Sequence, residues 1–155
     1  LVKLEEWYMQ SFADEQKRVE PLPYALEFFD FCKAQQLSTS LLSTIHPDHY
    51  SAQSGRIQFD FDHIYIRVMD KRRKIRHIMS ENTFEPHETV FIGDMRHDVD
   101  TAHAGGIHSC AVLTGYNTIC QLQESRPELI VEHLGELKTI LIQRSLEWPT
   151  SRNLN

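Results

Sequence analysis

Hydrophobic positions along the chain fall into short periodic segments separated by Pro, Gly and polar turns. Leu1, Leu4, Trp7, Tyr8 and Phe12 recur at helical spacing with Glu and Lys between them, which predicts an amphipathic helix over residues 1–18, stopped by Pro21 and Pro23. Leu22, Leu26, Phe29 and Cys32 mark one face of a second helix over 22–35. The run 40–45 is aliphatic and ends in hydroxyls, as a buried strand would, and 47–54 suits a short helix opened by Pro47. Residues 62–68 alternate with period two, and 71–84 carry Ile75, Ile78, Met79 and Phe84 near helical spacing. Thr89-Val90-Phe91-Ile92 is an unbroken apolar run before Gly93, the pattern of a parallel strand covered on both faces. Val99, Ala102 and Ala104 ride a short helix that Gly105 and Gly106 end. Strands at 111–113 and 129–131, helices at 119–124 and 134–144, and a polar tail after Trp148 complete the pattern.

Strand and helix alternate from Leu22 onward, which predicts an α/β fold with an open parallel sheet and helices on both faces. Ligands in such sheets bind beyond the carboxyl ends of the strands, so the residues just after each strand are the places to look for chemistry. A length of 155 residues with 41% hydrophobic content, six Gly and six Pro fits one globular domain able to bury a core without staples. Sixteen Lys and Arg against 22 Asp and Glu leave a net charge of -6, which disfavours nucleic acid and anionic membrane surfaces as partners. Cys32, Cys110 and Cys120 show no C-x-x-C spacing, so they read as small hydrophobes inside helices and strands rather than as a disulfide or zinc framework. With no signal-like or membrane-spanning stretch, the expected location is cytoplasmic. Because the chain opens on Leu1 already inside a helical pattern, it is expected to be part of a longer protein.

Chemistry concentrates at three of the strand ends. Gly93-Asp94-Met95-Arg96-His97-Asp98 puts Asp94 at a strand end and Asp98 inside the next helix, both acids facing one crevice. Two carboxylates about 5 Å apart repel by roughly 3 kcal/mol at an effective dielectric near 20, a strain relieved by a proton, a basic side chain or a divalent cation such as magnesium. Lys71-Arg72-Arg73-Lys74-Ile75-Arg76 sets five basic residues at a helix start, against the helix dipole, unless a bound phosphate reverses the sign. Ser43 and Thr44 close the first strand with hydroxyls and N–H groups that could donate to an anion. Nine His show no metal-binding spacing, and no G-x-S-x-G elbow supports a serine triad.

A hydroxyl at one strand end, a lysine opening a helix, then Gly-Asp-x-x-x-Asp after an apolar strand resembles the haloacid dehalogenase (HAD) superfamily of phosphohydrolases. The stretch FIGDMRHDVDTAHAGGIHSCAVLTGYN is similar to the phosphoglycolate-phosphatase-like members in particular. The resemblance implies a Rossmann-like core over 21–145, with 1–20 a remnant of a helical cap and 146–155 a tail. It implies a magnesium-dependent phosphatase acting on a small phosphorylated substrate, with Asp94 a metal ligand, Asp98 supporting the metal shell, and Ser43, Thr44 and Lys71 binding phosphate. Lys74 competes with Lys71 for that role; the distance from Lys71 to Asp94 suits the family better, although Arg72 stands where the subgroup usually has Pro. The family's nucleophile lies in a D-x-D-G-T motif on a first, central strand, and no such motif occurs here; Asp60-Phe61-Asp62 lacks the Gly-Thr turn. The expectation is therefore a chain without its nucleophile strand and most of its cap, inactive alone, with exposed strand edges open to self-association. A non-catalytic binding module, or phosphonatase, phosphomutase or dehalogenase chemistry, are the alternatives. A phosphoacceptor receiver domain would carry its acids and lysine in the reverse order.

Overall fold

The computed structural model describes residues 20–55, 57 and 59–147. The helix expected over 1–18, with the rest of the proposed cap remnant except Glu20, lies outside them, as does the tail beyond 147. Helix α1 (Ala25–Ala34) leads into β1 (Ser40–Leu42), α2 (Pro47–Ser54) and β2 (His63–Tyr65). There follow α3 (Lys71–Glu81), a single 3-10 turn (Pro86–Glu88), β3 (Val90–Gly93) and α4 (Arg96–Gly105). The chain continues through β4 (His108–Val112), α5 (Ile119–Glu124) and β5 (Leu129–Val131) to α6 (Leu134–Glu147).

All strand pairings are parallel, as the strand-helix alternation predicts, but the hydrogen bonds divide the strands into a pair β1-β2 and a triple β3-β4-β5. Among the described residues β1 bonds only to β2 and β3 only to β4, so each of β1 and β3 keeps one edge without a ladder partner. The two sheets nevertheless share a layer: Leu42 of β1 and Phe91 of β3 both pack on the cluster of Ile75, Met79, Ala102 and Ile107 supplied chiefly by α3 and α4.

Strand β4 shows why the sheet is covered on both faces. Cys110 and Val112 point into a cluster with Val131, Leu137 and Phe28, under α1 and α6. Ala111, of opposite parity, packs with Val99 and Leu122 under α4 and α5. The strand begins at His108, three residues earlier than expected, because polar Ser109 is itself buried and its hydroxyl accepts the Glu128 N–H (3.0 Å). Burial pushes the Cys110 thiol up to about 12 and also raises that of Cys32, leaving both protonated and inert. Cys120 departs from the expectation for the cysteines: it lies exposed on α5, where no apolar layer covers it.

The opposite, amino-terminal edge of the small sheet is held by Asp62. Its carboxylate accepts the Thr39 backbone N–H (2.7 Å), the Lys33 ammonium (2.9 Å) and the Thr39 hydroxyl (2.9 Å). Those three donors, the Thr39 amide foremost, hold its carboxyl down from 3.8 to about 2. A carboxyl depressed on folding contributes stability that is present above its unfolded value and lost as pH falls through its folded one. The difference in unfolding free energy between the wild type and Asp62→Asn should thus be constant above about pH 5 and shrink between about pH 4 and 2. Urea titrations of both proteins across that range check this; a difference independent of pH would show that the Asp62 charge is not what these donors stabilise.

Candidate active site

The carboxyl ends of β1, β2 and β3 supply the residues singled out from the sequence. Helix α3 begins at Lys71, with Asp70 as its N-cap accepting the Arg72 N–H (3.1 Å). That acid answers the dipole conflict of the basic run. The rest of the run disperses: Arg73 Nε lies 3.4 Å from the same Asp70 carboxylate, Lys74 Nζ sits 5.5 Å from the Tyr65 ring centre, and Arg76 Nε donates to the Ala104 carbonyl (2.8 Å) near the end of α4. Lys71 alone turns inward. Its ammonium passes 5.9 Å from the Phe91 ring centre and reaches Asp98 Oδ1 at 2.7 Å.

That ion pair is the most buried of those among the described residues, with 14% of the Lys71 side chain and 6% of Asp98 exposed. The second oxygen of Asp98 accepts the Met95 N–H (3.2 Å), fixing the loop that carries Asp94. Asp98 can approach this closely because residue 93 is glycine; a Cβ there would fall on the Asp98 side chain. Of the three ways to relieve the Asp94 and Asp98 repulsion, Asp98 thus has the basic side chain.

Asp94 is held from the other side. The loop after β4 brings the Tyr116 N–H to Asp94 Oδ2 (2.7 Å) and the Asn117 N–H to the Asp94 carbonyl (3.3 Å). Gly115 is the point of closest approach, since a Cβ on it would overlap the Asp94 carboxyl. No donor among the described residues engages Asp94 Oδ1. Ser43 sits at the end of β1, tied to the loop before Lys71 by the Val68 N–H donating to its carbonyl (3.0 Å). Its Oγ accepts the Ile45 N–H (3.1 Å), and no acceptor for its own O–H is found among the described residues. Thr44 is exposed beside it. Lys71 and Asp98 are therefore in contact, Asp94 is one loop away, and Ser43 lies on the same sheet edge in the other sheet. Asp62, at the beginning of β2, is at the opposite edge.

Divalent cation chemistry can be tested on the donors present. No group of three or more His, Cys, Asp or Glu among the described residues could hold a metal alone. Magnesium keeps several waters and takes one or two carboxylates plus substrate oxygens, so the free Asp94 Oδ1 fits such a site as one ligand among ligands from elsewhere. The residues that sequence reasoning missed are Gly115, Tyr116 and Asn117. Their signal was the Gly-Tyr-Asn turn after an apolar strand, which has the same strand-end position as the other three loops.

Residues 71–137 match the HAD-hydrolase-like family model, a segment that opens on Lys71 and contains both acids. The phosphoglycolate phosphatase of Haemophilus influenzae is 36% identical over 58 residues, 37% of this chain and 26% of that protein, so the match spans about a quarter of the curated relative. In fold, the chain is similar to a predicted phosphoglycolate phosphatase from Haemophilus somnus (TM-score 0.74, 17% identity, 84% of this chain and 61% of that one). It is likewise similar to a hydrolase from Pseudomonas syringae (TM-score 0.77, 17% identity, 90% of this chain and 68% of that one). In sequence, residues 71–137 are thus similar to the HAD-hydrolase-like family, and the described length shares the fold of the solved structures it resembles.

Proposed function

We propose that the protein is a magnesium-dependent phosphatase that hydrolyses a small phosphorylated metabolite in the cytoplasm through a phosphoaspartate intermediate. Phosphoglycolate is the first substrate to try, since the relatives are named for it. The observation that carries the reading is the buried Lys71–Asp98 pair beside an Asp94 with one carboxylate oxygen free, all at the carboxyl edge of parallel strands. In this reading residues 21–145 are the catalytic core, 1–20 belong to the cap and 146–155 are a tail.

Each residue has a separable task. The Lys71 ammonium spends one proton on Asp98, and its other two can meet phosphoryl oxygens. The Asp98 charge keeps that ammonium in place and holds the Met95 amide, steadying the Asp94 loop. Ser43 donates its O–H to a phosphoryl oxygen, with Thr44 beside it, and Asp94 offers Oδ1 as a metal ligand. Bound magnesium would neutralise phosphoryl charge as it builds. The nucleophile is an aspartate on a strand outside these 155 residues, entering between β1 and β3, where each has an edge without a ladder partner among the described residues. Its carboxylate forms the new bond to phosphorus as the ester oxygen leaves with a proton from a second acid. Water then cleaves the acyl phosphate to give inorganic phosphate and the original carboxylate.

Two measurements test this. A protein that extends this chain with a D-x-D-G-T strand should hydrolyse phosphoglycolate and p-nitrophenyl phosphate with magnesium, lose that activity on Asp94→Asn, and keep its fold. The 155 residues alone should turn over neither. An extended protein with no such motif and no turnover would replace the enzyme with a non-catalytic module. Separately, Lys71→Met strands the buried Asp98 charge and should lower unfolding free energy by about 3 kcal/mol. Lys71→Met with Asp98→Leu should recover most of that loss in chemical denaturation, and equal losses in the single and double variants would remove the pair from the core of the argument.

A further inference from the structure

The loop between β4 and α5 does more than lie beside Asp94. Tyr116 N–H occupies Asp94 Oδ2, Asn117 N–H occupies the Asp94 carbonyl, and Gly115 brings the backbone close enough for both. The Asn117 side chain then ties this strap at two further points. Its Oδ1 accepts the Arg96 N–H (2.9 Å) at the first residue of α4, two positions from Asp94 and two from Asp98. Its Nδ2 donates to Gln121 Oε1 (3.1 Å), which also accepts the Thr118 N–H (2.9 Å) in the capping box of α5. One side chain thus joins the acid-bearing loop, the start of α4 and the cap of α5.

From this geometry we infer that residues 115–117 form a positioning clamp that confines Asp94 to one-oxygen coordination, with Asn117 as the positioning residue that keeps the clamp shut. The inference rests on the magnesium-dependent reading above. With Oδ2 held by an amide at 2.7 Å, one of its lone pairs is committed, so presenting both oxygens to one ion competes with that hydrogen bond. Magnesium asks for near-octahedral geometry and takes such single oxygens, whereas calcium accepts two from one carboxylate and a looser, larger shell. The clamp therefore selects the smaller cation. Asn117 touches neither substrate nor metal in this scheme; it acts through Asp94 and Arg96.

The test is the ratio of magnesium to calcium affinity in the extended protein, measured by calorimetric titration of each ion, with the Tyr116 amide followed by NMR. Asn117→Ala should weaken magnesium binding about tenfold while calcium changes little, since partners that orient a metal ligand typically carry effects of 10- to 100-fold. Gln121→Ala, which removes the far anchor together with the α5 capping box, should shift the ratio the same way by a smaller factor, and it decides the matter if Asn117→Ala does not fold. A lost thermal midpoint with an unchanged ratio would reduce Asn117 to a structural residue and overturn the clamp. If wild type and Asp94→Asn bind magnesium alike, the functional reading itself has failed; if Asp94→Asn loses binding while both clamp variants match wild type, only the clamp is wrong.

Discussion

The ammonium of Lys71 and the carboxylate of Asp98 meet at 2.7 Å with little of either exposed, and the site depends on that contact. Lys71 enters from the β2 side and Asp98 stands on α4 behind β3, so the pair ties together segments that belong to different sheets. Taking both charges out of water costs several kcal/mol per ion before their attraction offsets it. A contact of that kind contributes less to stability than to geometry: it leaves one arrangement of the two helix starts in which neither charge is stranded. The remaining oxygen of Asp98 extends the same constraint to Met95 and so to the loop that carries Asp94.

The rest of the architecture presents this arrangement at one edge. Strands of three to five residues are enough because both faces of β4 are sealed, Cys110 and Val112 on one side and Ala111 on the other. The loops beyond the strands can then be polar and closely bonded. Gly93 and Gly115 mark where two acids are approached by backbone from opposite sides, and a side chain at either position would displace the carboxyl it faces. Among the described residues, Asp94 has one oxygen committed and one without a donor, and the Ser43 hydroxyl accepts the Ile45 N–H.

Much of this was legible in the chain. Helix α2, helix α5 and strand β5 have the expected limits, because Pro47, the Thr118 and Gln121 capping pair and the short aliphatic run at 129–131 are local signals that tertiary context did not override. Where limits moved, packing was the cause. Strand β4 starts early because Ser109 is buried through a hydrogen bond to the Glu128 amide, and 62–68 shortens to three residues because Arg67 adopts a left-handed backbone with φ 57°. The choice between Lys71 and Lys74 could not be read from a helix that carries both: three positions apart, they differ in which neighbour each one meets.

Periodicity and turn residues were enough to predict a parallel α/β fold, and the order of hydroxyl, lysine and paired acids carried its resemblance to the haloacid dehalogenase superfamily, since each is a property of a few adjacent positions. What only the folded chain decided were relations between distant segments. They include the division of the strands into two ladders, the pairing of Asp98 with Lys71, and the Asn117 strap over the Asp94 loop. Hydrogen bonds and buried charges are fixed by distances of a few tenths of an ångström between groups twenty or more residues apart, and no local pattern encodes such distances.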